Sequence, residues 1–238
     1  MYCVIIPTYN NALTLSGVIL EVLNYCEHVV VVNDGSSDST HEVLQSFGDR
    51  IHAIEYFPNR GKGYALRKGF RHAMEKGFSH AVTIDSDGQH YASDIPLLLE
   101  ASAGNPRALI IGNRQFNLPN MPAKNSFANK FSNFWFTVQT GHRLNDTQTG
   151  YRLYPLHLMK QMYFLTSRYE TELEILVRLA WKRVPIIAVP VNVYYAPEGE
   201  RVTHFRKGKD FCRISLLNTV LCFAAVLYGY PSMLLRKW

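Results

Sequence analysis

Residues 28–38 read His28-Val29-Val30-Val31-Val32-Asn33-Asp34-Gly35-Ser36-Ser37-Asp38, an apolar run that passes directly into a polar turn. Because the four valines do not alternate with polar residues, they favour a strand that is buried on both faces. Strands of the same kind are predicted at residues 4–6, 51–57, 80–84 and 108–111. Helical stretches separate them, at residues 15–23, 39–47, 64–76 and 95–103. This alternation predicts an α/β fold with a mostly parallel sheet flanked by helices.

The length and composition suit one folded domain with a short appendage. The chain has 238 residues, of which 47% are hydrophobic and 18% charged, so it can fill a core. A formal charge of +6 is compatible with phosphate-bearing small molecules, nucleic acid or anionic lipid. Cys3, Cys26, Cys212 and Cys222 form no disulfide or zinc pattern, so we expect a reducing compartment. The first residues resemble a strand rather than a secretion signal, so secretion is not expected.

The second half of the chain is less regular. It offers an aromatic helix at residues 127–136, a helix at about 170–181 and an apolar strand at 186–193. The composition does not shift before about residue 197. We therefore expect one domain over residues 1–197 and a separate tail over residues 198–238.

The tail combines a basic loop with an apolar run, residues 214–235, that carries no charged side chain. This run is long enough to cross a bilayer, but Tyr228-Gly229-Tyr230-Pro231 is expected to break it. Basic residues flank both ends, so the charges favour neither orientation. We expect the run to associate with a membrane, lying in the interface or dipping in and out of it. A single crossing and a helix packed on the domain are the alternatives.

Polar, glycine-rich clusters follow four of the predicted strands. They occupy residues 7–11, 33–38, 59–63 and 85–90. Ligands of parallel sheets gather at the carboxyl ends of the strands. We therefore expect the four clusters to meet at one rim of the sheet and to form a binding site there.

The segment Asp85-x-Asp87-x-Gln89 has the strongest metal-binding pattern in the chain. Two carboxylates and an amide oxygen just after a buried strand can surround one hard cation. An EF-hand is excluded, because Pro96 stands where that motif places its closing glutamate. In the alternative interpretation, Asp85 caps the turn and Asp87 is solvated.

Basic residues near the same rim are individually less specific. Residues 59–63 lack the spacing of a Walker A loop, but they place two cations at a predicted helix N-terminus, which favours anions. A solvated basic turn is the alternative. Arg114, Arg152 and Arg201 each stand beside a glycine or in a polar loop, where a surface position is the default.

In combination and in this order, the clusters resemble the family 2 glycosyltransferases with a GT-A fold, in the branch of dolichyl- or polyprenyl-phosphate sugar synthases. The matching segments are Ile6-Pro7-Thr8-Tyr9-Asn10, Asn33-Asp34-Gly35-Ser36, Asn59-Arg60-Gly61-Lys62-Gly63, Asp85-Ser86-Asp87-Gly88-Gln89-His90, Gly112-Asn113-Arg114 and Asp146-Thr147-Gln148-Thr149-Gly150-Tyr151-Arg152. The resemblance covers roughly residues 2–200.

The resemblance implies roles for individual residues. Those implied to bind a nucleotide-sugar are Pro7, Tyr9, Asn11, Asp34, Lys62 and Asp85. Those implied to hold Mg²⁺ or Mn²⁺ are Asp85, Asp87 and Gln89. Those implied to face the acceptor phosphate are Arg114, Lys124 and Arg201. The residues implied to act in catalysis are Asp87, Arg114, Asp146 and Arg201.

Three positions depart from the family pattern. Asn11 stands where the family often has an acidic residue, and Asn33 replaces the first Asp of the usual pair. Lys124 stands near the place where lipid-phosphate synthases carry an Arg and a Ser on the acceptor helix. These departures bear more on the identity of the acceptor than on binding of the donor.

The implied enzyme is an inverting, metal-dependent hexosyltransferase on the cytoplasmic side of a membrane, held peripherally or by one short membrane segment. It would move a sugar from a UDP- or GDP-sugar to a lipid-linked acceptor, first of all polyprenyl phosphate. A lipid phosphate arrives ionised and needs no base, whereas a hydroxyl acceptor needs a carboxylate to take its proton. Asp146 is the candidate base by motif position. Its alternative role is to organise the loop, bonded to the backbone or to Arg152.

Other functions remain as alternatives. A nucleotidyltransferase would share the sheet and the acidic metal site, but the loop after the first strand lacks the glycine-rich, basic signature of those enzymes. A non-catalytic nucleotide-sugar-binding or membrane-scaffold protein is a further alternative. No recognition motif accompanies the positive charge, so no nucleic-acid partner is expected. The sequence does not indicate an oligomeric state.

Overall fold

The computed structural model describes residues 1–114, 123–160, 162–195, 206 and 208–235, and for residues 123–127 the backbone alone. In this part of the chain, strands β1 to β7 form one sheet. They are β1 (Tyr2–Thr8), β2 (Val29–Asp34), β3 (His52–Tyr56), β4 (His80–Thr83), β5 (Leu109–Arg114), β6 (Arg152–Pro155) and β7 (Ile186–Val191). Their order across the sheet is β3-β2-β1-β4-β6-β5-β7.

The predicted mostly parallel sheet is confirmed. β1 runs parallel to β2 and β4, β2 to β3, and β5 to β7. β6 lies antiparallel between β4 and β5. The register pairs Thr8 with Asn33 and Asn33 with Glu55, so the carboxyl ends of β1, β2 and β3 are level. The polar clusters that follow these strands therefore share one rim.

Helices cover both faces of the sheet. They are α1 (Ala12–Leu23), α2 (Thr40–Phe47), α3 (Lys62–Glu75), α4 (Ile95–Gly104), α5 (Ala123–Thr140), α6 (Leu156–Met159), α7 (Glu170–Trp181), α8 (Lys209–Ala224) and α9 (Tyr230–Leu235). Val4 and Ile6 pack in one core with α1 and α4, whereas Cys3 and Ile5 pack in the other with α3 and α7. Both faces of β1 are thus buried, which explains its unbroken apolar run.

Strand β6 was not expected from the sequence. It has only four residues and begins with Arg152, which is fully buried although a surface position was the default expectation. The Arg152 guanidinium donates hydrogen bonds to the carbonyl oxygens of Thr147, Thr149 and Glu172 at 2.9, 2.8 and 2.8 Å. The surface expectation for Arg152 is wrong because three carbonyl groups satisfy the buried cation.

The apolar C-terminal run forms one continuous helix, so the expected break at residues 228–231 is also wrong. α8 passes through a π-turn (Ala225–Gly229) into α9. The N–H of Tyr230 donates to the carbonyl of Ala225, one residue further back than in an α-helix. This wider turn precedes Pro231, whose missing N–H therefore does not end the helix.

One face of this C-terminal helix packs against the domain. Leu217, Leu221 and Ala225 join the core that contains α3 and α7. Gly229 lies so close to Trp181 that an added Cβ would be 2.5 Å from the indole nitrogen. The prediction that residues 198–238 form a separate unit stays a prediction.

The opposite face of the helix is exposed and apolar. Its large side chains include Leu216, Phe223, Val226, Leu227, Leu234 and Leu235. Within the described residues, the segment Lys209–Leu235 is long and apolar enough to cross a membrane, judged by length and composition, and it contains an 18-residue window with a mean hydropathy of 1.8.

Candidate active site

A cavity of about 620 Å³ opens at the carboxyl ends of β1, β2 and β4. Its lining brings together nine residues that the sequence singled out. They are Pro7, Tyr9, Asn11, Asp34, Lys62, Asp85, Asp87, Gln89 and Arg114. Asp146 lies behind Arg114 and does not line the cavity. Arg201 and the side chain of Lys124 lie outside the described residues, so their predicted acceptor roles stay predictions.

The turn after β2 is tied to the turn before α3. The Asp34 carboxylate accepts hydrogen bonds from the backbone N–H groups of Arg60 and Gly61, both at 2.7 Å, and from Asn59 Nδ2 at 2.8 Å. Burial raises the pKa of Asp34, although these hydrogen bonds oppose the rise. Gly35 has a positive φ of 71°, and an added Cβ would lie 2.6 Å from the backbone nitrogen of Asn59. Asp34 therefore holds together the two turns that form this end of the cavity.

Asn11 connects the first loop to the acidic loop after β4. Its Nδ2 donates a hydrogen bond to Ser86 Oγ at 2.8 Å. Thr14, one turn into α1, donates to the carbonyl oxygen of Ser86 at 2.6 Å. The resemblance leads to an acidic residue at position 11, but this chain has an amide there. The Asn11 amide and Thr14 hold Ser86, which stands between Asp85 and Asp87, against α1.

Lys62 joins two carboxylates across the cavity. Its Nζ lies 2.7 Å from Asp85 Oδ1 and 3.0 Å from Glu172 Oε2. Burial alone would lower the pKa of Lys62, but Asp85 and Glu172 raise it above its ordinary value. Burial would likewise raise the pKa of Asp85, and the charge of Lys62 holds it below its usual range. Both groups are therefore charged at neutral pH.

Of the two carboxylates of Asp85 and Asp87, that of Asp87 is stabilised less by neighbouring positive charge. Burial and the neighbouring charge of Asp85 raise the pKa of Asp87 to about 6. Oδ1 of Asp87 accepts the backbone N–H of Gln89 at 3.0 Å, which turns the chain so that both side chains line the cavity. Among the described residues, Asp85 is paired with a cation and Asp87 is not, and two neighbouring carboxylates of this kind are chemically suited to binding a divalent ion.

His90 follows this segment and is buried. Burial lowers the pKa of His90 to about 4, so its imidazole is neutral at physiological pH. Its Nδ1 has no hydrogen-bond partner among the described residues. Its ring lies against the ring of Tyr151, with the two centroids 5.1 Å apart.

Arg114 and Asp146 form a two-pronged ion pair. Nε and Nη2 of Arg114 donate to the two carboxylate oxygens at 2.6 and 2.9 Å. The backbone N–H of Gln148 also donates to Asp146, at 3.2 Å. Both oxygens of Asp146 are thus occupied, and its partner is Arg114 rather than Arg152. The carboxylate fixes the direction in which Arg114 enters the cavity.

Several residues of the cavity wall were not assigned a role from the sequence. They include Ser132, Thr147, Gln148, Arg168, Tyr169, Glu170, Glu172, Arg206, Asp210 and Ile214. Glu170 and Glu172 lie in the first turn of α7, where acidic residues are ordinarily explained by the helix dipole. Because that pattern is common, the sequence alone did not identify the two glutamates as residues of the site.

A family model and individual proteins of known sequence both relate this chain to glycosyltransferases. The model of the family described as "Glycosyl transferase family 2" matches residues 3–161. The UDP-N-acetylglucosamine–dolichyl-phosphate N-acetylglucosaminyltransferase of Methanococcus voltae is 27% identical over 212 residues, which cover 80% of this chain and 84% of that protein. The polyprenol monophosphomannose synthase of Mycolicibacterium smegmatis is 31% identical over 169 residues, covering 67% of this chain and 63% of that protein.

A solved structure shows the same fold. The glucosyl-3-phosphoglycerate synthase of Mycobacterium tuberculosis, in complex with Mn²⁺, UDP and glucosyl-3-phosphoglycerate, superposes with a TM-score of 0.70. It is 17% identical, and the match covers 94% of this chain and 79% of that one. The expected GT-A architecture is thereby confirmed. Since the family model spans most of the chain and its motifs meet in one cavity, this chain belongs to glycosyl transferase family 2.

Proposed function

We propose that this protein transfers a sugar from a nucleoside-diphosphate sugar to a polyprenyl-type lipid phosphate, with inversion at the anomeric carbon. The observation that carries the proposal is the shared cavity, in which the residues expected to bind the donor and a cation lie together with Arg114. Relatives named for dolichyl phosphate and for polyprenol monophosphomannose support the lipid-phosphate acceptor.

The donor site is built from the first three strand ends. Pro7 and Tyr9 line the wall beside Asp34, whose carboxylate is held by the turn before α3. Lys62 and Asp85 stand further along the same wall. We assign the nucleoside to the Asp34 end and the diphosphate to the end that carries Asp87 and Arg114.

The residues present fit a divalent cation. Asp87 and Gln89 offer hard oxygen ligands, and burial and the charge of Asp85 raise the pKa of Asp87 more than the charge of Lys62 lowers it, so a bound cation would stabilise its ionised form. Asp85 is the secondary candidate, because Lys62 already neutralises it. Bound there, Mg²⁺ or Mn²⁺ would supply electrostatic stabilisation of the diphosphate leaving group. The Mn²⁺ complex of the structural neighbour supports this choice of ion.

A lipid-phosphate acceptor has to be held in the right direction, but it does not need a base to remove a proton. A lipid phosphate is ionised before it arrives, so a directed cation is enough to position it by charge-assisted hydrogen bonds. Arg114 lines the cavity, and Asp146 holds its guanidinium in one direction. Lys124 and Arg201 remain the further candidates for the acceptor phosphate. Because both oxygens of Asp146 are engaged, a role as general base is the weaker assignment.

Membrane association follows from the C-terminal helix. Leu227 and Phe223 on its outer face are 80% and 69% exposed. Lys209 and Arg213 are exposed in its first turns, where they suit an anionic lipid surface. Ile214 of the same helix, which packs against the core, also lines the cavity, so the cavity adjoins this helix. We place the protein on the cytoplasmic side of its membrane, since its four cysteines are free thiols.

The test uses the purified full chain with a panel of UDP- and GDP-sugars and with Mg²⁺ or Mn²⁺. Polyprenyl phosphate, the corresponding polyprenol and no lipid are compared as acceptors. Product formed only with the lipid phosphate is the expected result. Product formed with the polyprenol would move the assignment to a hydroxyl acceptor, and no transfer with any donor would overturn the proposal.

A further inference from the structure

Two glutamates of the cavity wall have carboxylate oxygens that nothing in the described structure occupies. Glu170 and Glu172 are each 7% exposed and line the cavity from the first turn of α7. Oε2 of Glu170 and Oε1 of Glu172 are buried and accept no hydrogen bond from the described residues. A buried carboxylate oxygen without a donor is costly, so a ligand that donates hydrogen bonds would be stabilised there.

A carboxylate accepts hydrogen bonds and cannot donate them. This excludes a phosphate as the group that meets the two glutamates, because like charges would repel each other. Hydroxyl groups are the matching donors. The donor molecule carries hydroxyls on its ribose and on the sugar that is transferred.

The position of the two glutamates favours the transferred sugar. Glu172 Oε2 lies 3.0 Å from Lys62 Nζ, which in turn lies 2.7 Å from Asp85 Oδ1. Glu172 therefore stands next to the acidic segment, at the end of the cavity assigned to the diphosphate, and Glu170 lines the same cavity from the same turn of α7. At the nucleoside end, the Asp34 carboxylate already accepts hydrogen bonds from the backbone N–H groups of Arg60 and Gly61.

We propose that Glu170 and Glu172 bind hydroxyl groups of the sugar moiety and so determine which sugar is accepted. This proposal rests on the transfer reaction proposed above. Asp210 also lines the cavity but does not share this role. Its Oδ1 is likewise buried and accepts no hydrogen bond from the described residues. The difference is that the Arg206 guanidinium lies 3.8 Å from Oδ1 and the backbone N–H of Arg206 donates to Oδ2 at 2.8 Å, so a cation already faces this carboxylate.

The experiment compares two ligands on the same variants. Binding of the best nucleotide-sugar among UDP-N-acetylglucosamine, UDP-glucose and GDP-mannose, and of its own nucleoside diphosphate, is measured by titration calorimetry with Mn²⁺ present. For Glu170→Gln and Glu172→Gln, we expect affinity for the nucleotide-sugar to fall about tenfold, the scale of a hydrogen bond to a charged group. Affinity for the nucleoside diphosphate should stay within about twofold of the parent value.

Glu170→Gln is the cleaner variant, because Glu170 forms no ion pair within the described part of the chain, whereas Glu172 is paired with Lys62. If Glu172→Gln fails to fold, Glu170→Gln decides alone. Glu100→Gln, exposed on α4 and away from the cavity, is the matched control. It should change neither affinity.

Three results would overturn the inference. Unchanged affinity for both ligands would show that the glutamates do not bind the donor. An equal loss for both ligands would assign them to the ribose or the diphosphate. Unchanged donor affinity with lost turnover would assign them to the acceptor or to proton transfer. If the parent protein binds a nucleoside diphosphate but none of the three nucleotide-sugars, it is the proposed function that fails, and the inference fails with it.

Discussion

Lys62 Nζ lies 2.7 Å from Asp85 Oδ1, and this ion pair leaves no room for a side chain on Gly150. A Cβ at position 150 would lie 2.8 Å from both Lys62 Nζ and Asp85 Oδ2. Three separate segments of the chain, the start of α3, the end of β4 and the loop before β6, thus meet at one point of the cavity wall.

Gly150→Ala should therefore displace the Lys62–Asp85 pair. We expect transfer activity to fall by at least about tenfold, with a loss of roughly 1–3 kcal/mol in the free energy of unfolding, as is usual for overpacking. Steady-state kinetics and thermal unfolding measure the two effects. Gly17→Ala on α1 is the control, because an added Cβ there meets nothing within 4 Å. Full activity in Gly150→Ala would contradict the close contact.

Asp87→Ala should abolish transfer while the protein stays folded. The side chain is proposed to hold the cation, and its removal also relieves repulsion from Asp85, so we expect no loss of thermal stability. Turnover with Mn²⁺ and the unfolding temperature are the measurements, and EDTA should reproduce the loss of activity in the parent protein. Asp49→Ala, on an exposed turn, is the control. Normal turnover in Asp87→Ala would refute the cation assignment.

Asp146→Asn distinguishes an orienting carboxylate from a general base. Because it breaks a buried ion pair with Arg114, we expect a loss of about 3–5 kcal/mol in stability together with reduced turnover. Arg114→Gln should show a comparable loss of turnover, and the double variant should lose less than the two single losses added together. A variant Asp146→Asn with parent stability and a low kcat would instead indicate proton transfer.

The outer face of the C-terminal helix should govern membrane binding. Leu227→Ser and Phe223→Ser remove exposed apolar side chains, so we expect weaker co-sedimentation with anionic phospholipid vesicles and an unchanged unfolding temperature. Leu221→Ala on the buried face is the matched control, since it should lower stability by about 2–5 kcal/mol without removing an exposed contact. Parent-like vesicle binding in the double variant Phe223→Ser/Leu227→Ser would refute the outer face as the membrane contact.

The features predictable from sequence are those that local pattern determines. The unbroken apolar run of β2 and the helical period of α7 are present in the sequence itself, and the polar ends of parallel strands are expected at a common rim. The expected donor and cation residues therefore lie together in the cavity. The break expected at Pro231 failed because a π-turn altered the hydrogen bonding ahead of the proline.

By itself, the sequence determined the α/β class, the rim on which the polar clusters lie and the apolar character of the C-terminal run. Only the tertiary structure decided which charges meet. It paired Lys62 with Asp85 and Glu172, paired Arg114 with Asp146, and buried Arg152 among carbonyl groups. The physical reason is how far apart along the chain the interacting residues are. Hydrophobic periodicity is encoded by neighbours along the chain, whereas an ion pair between positions 62 and 172 depends on how helices pack across the sheet.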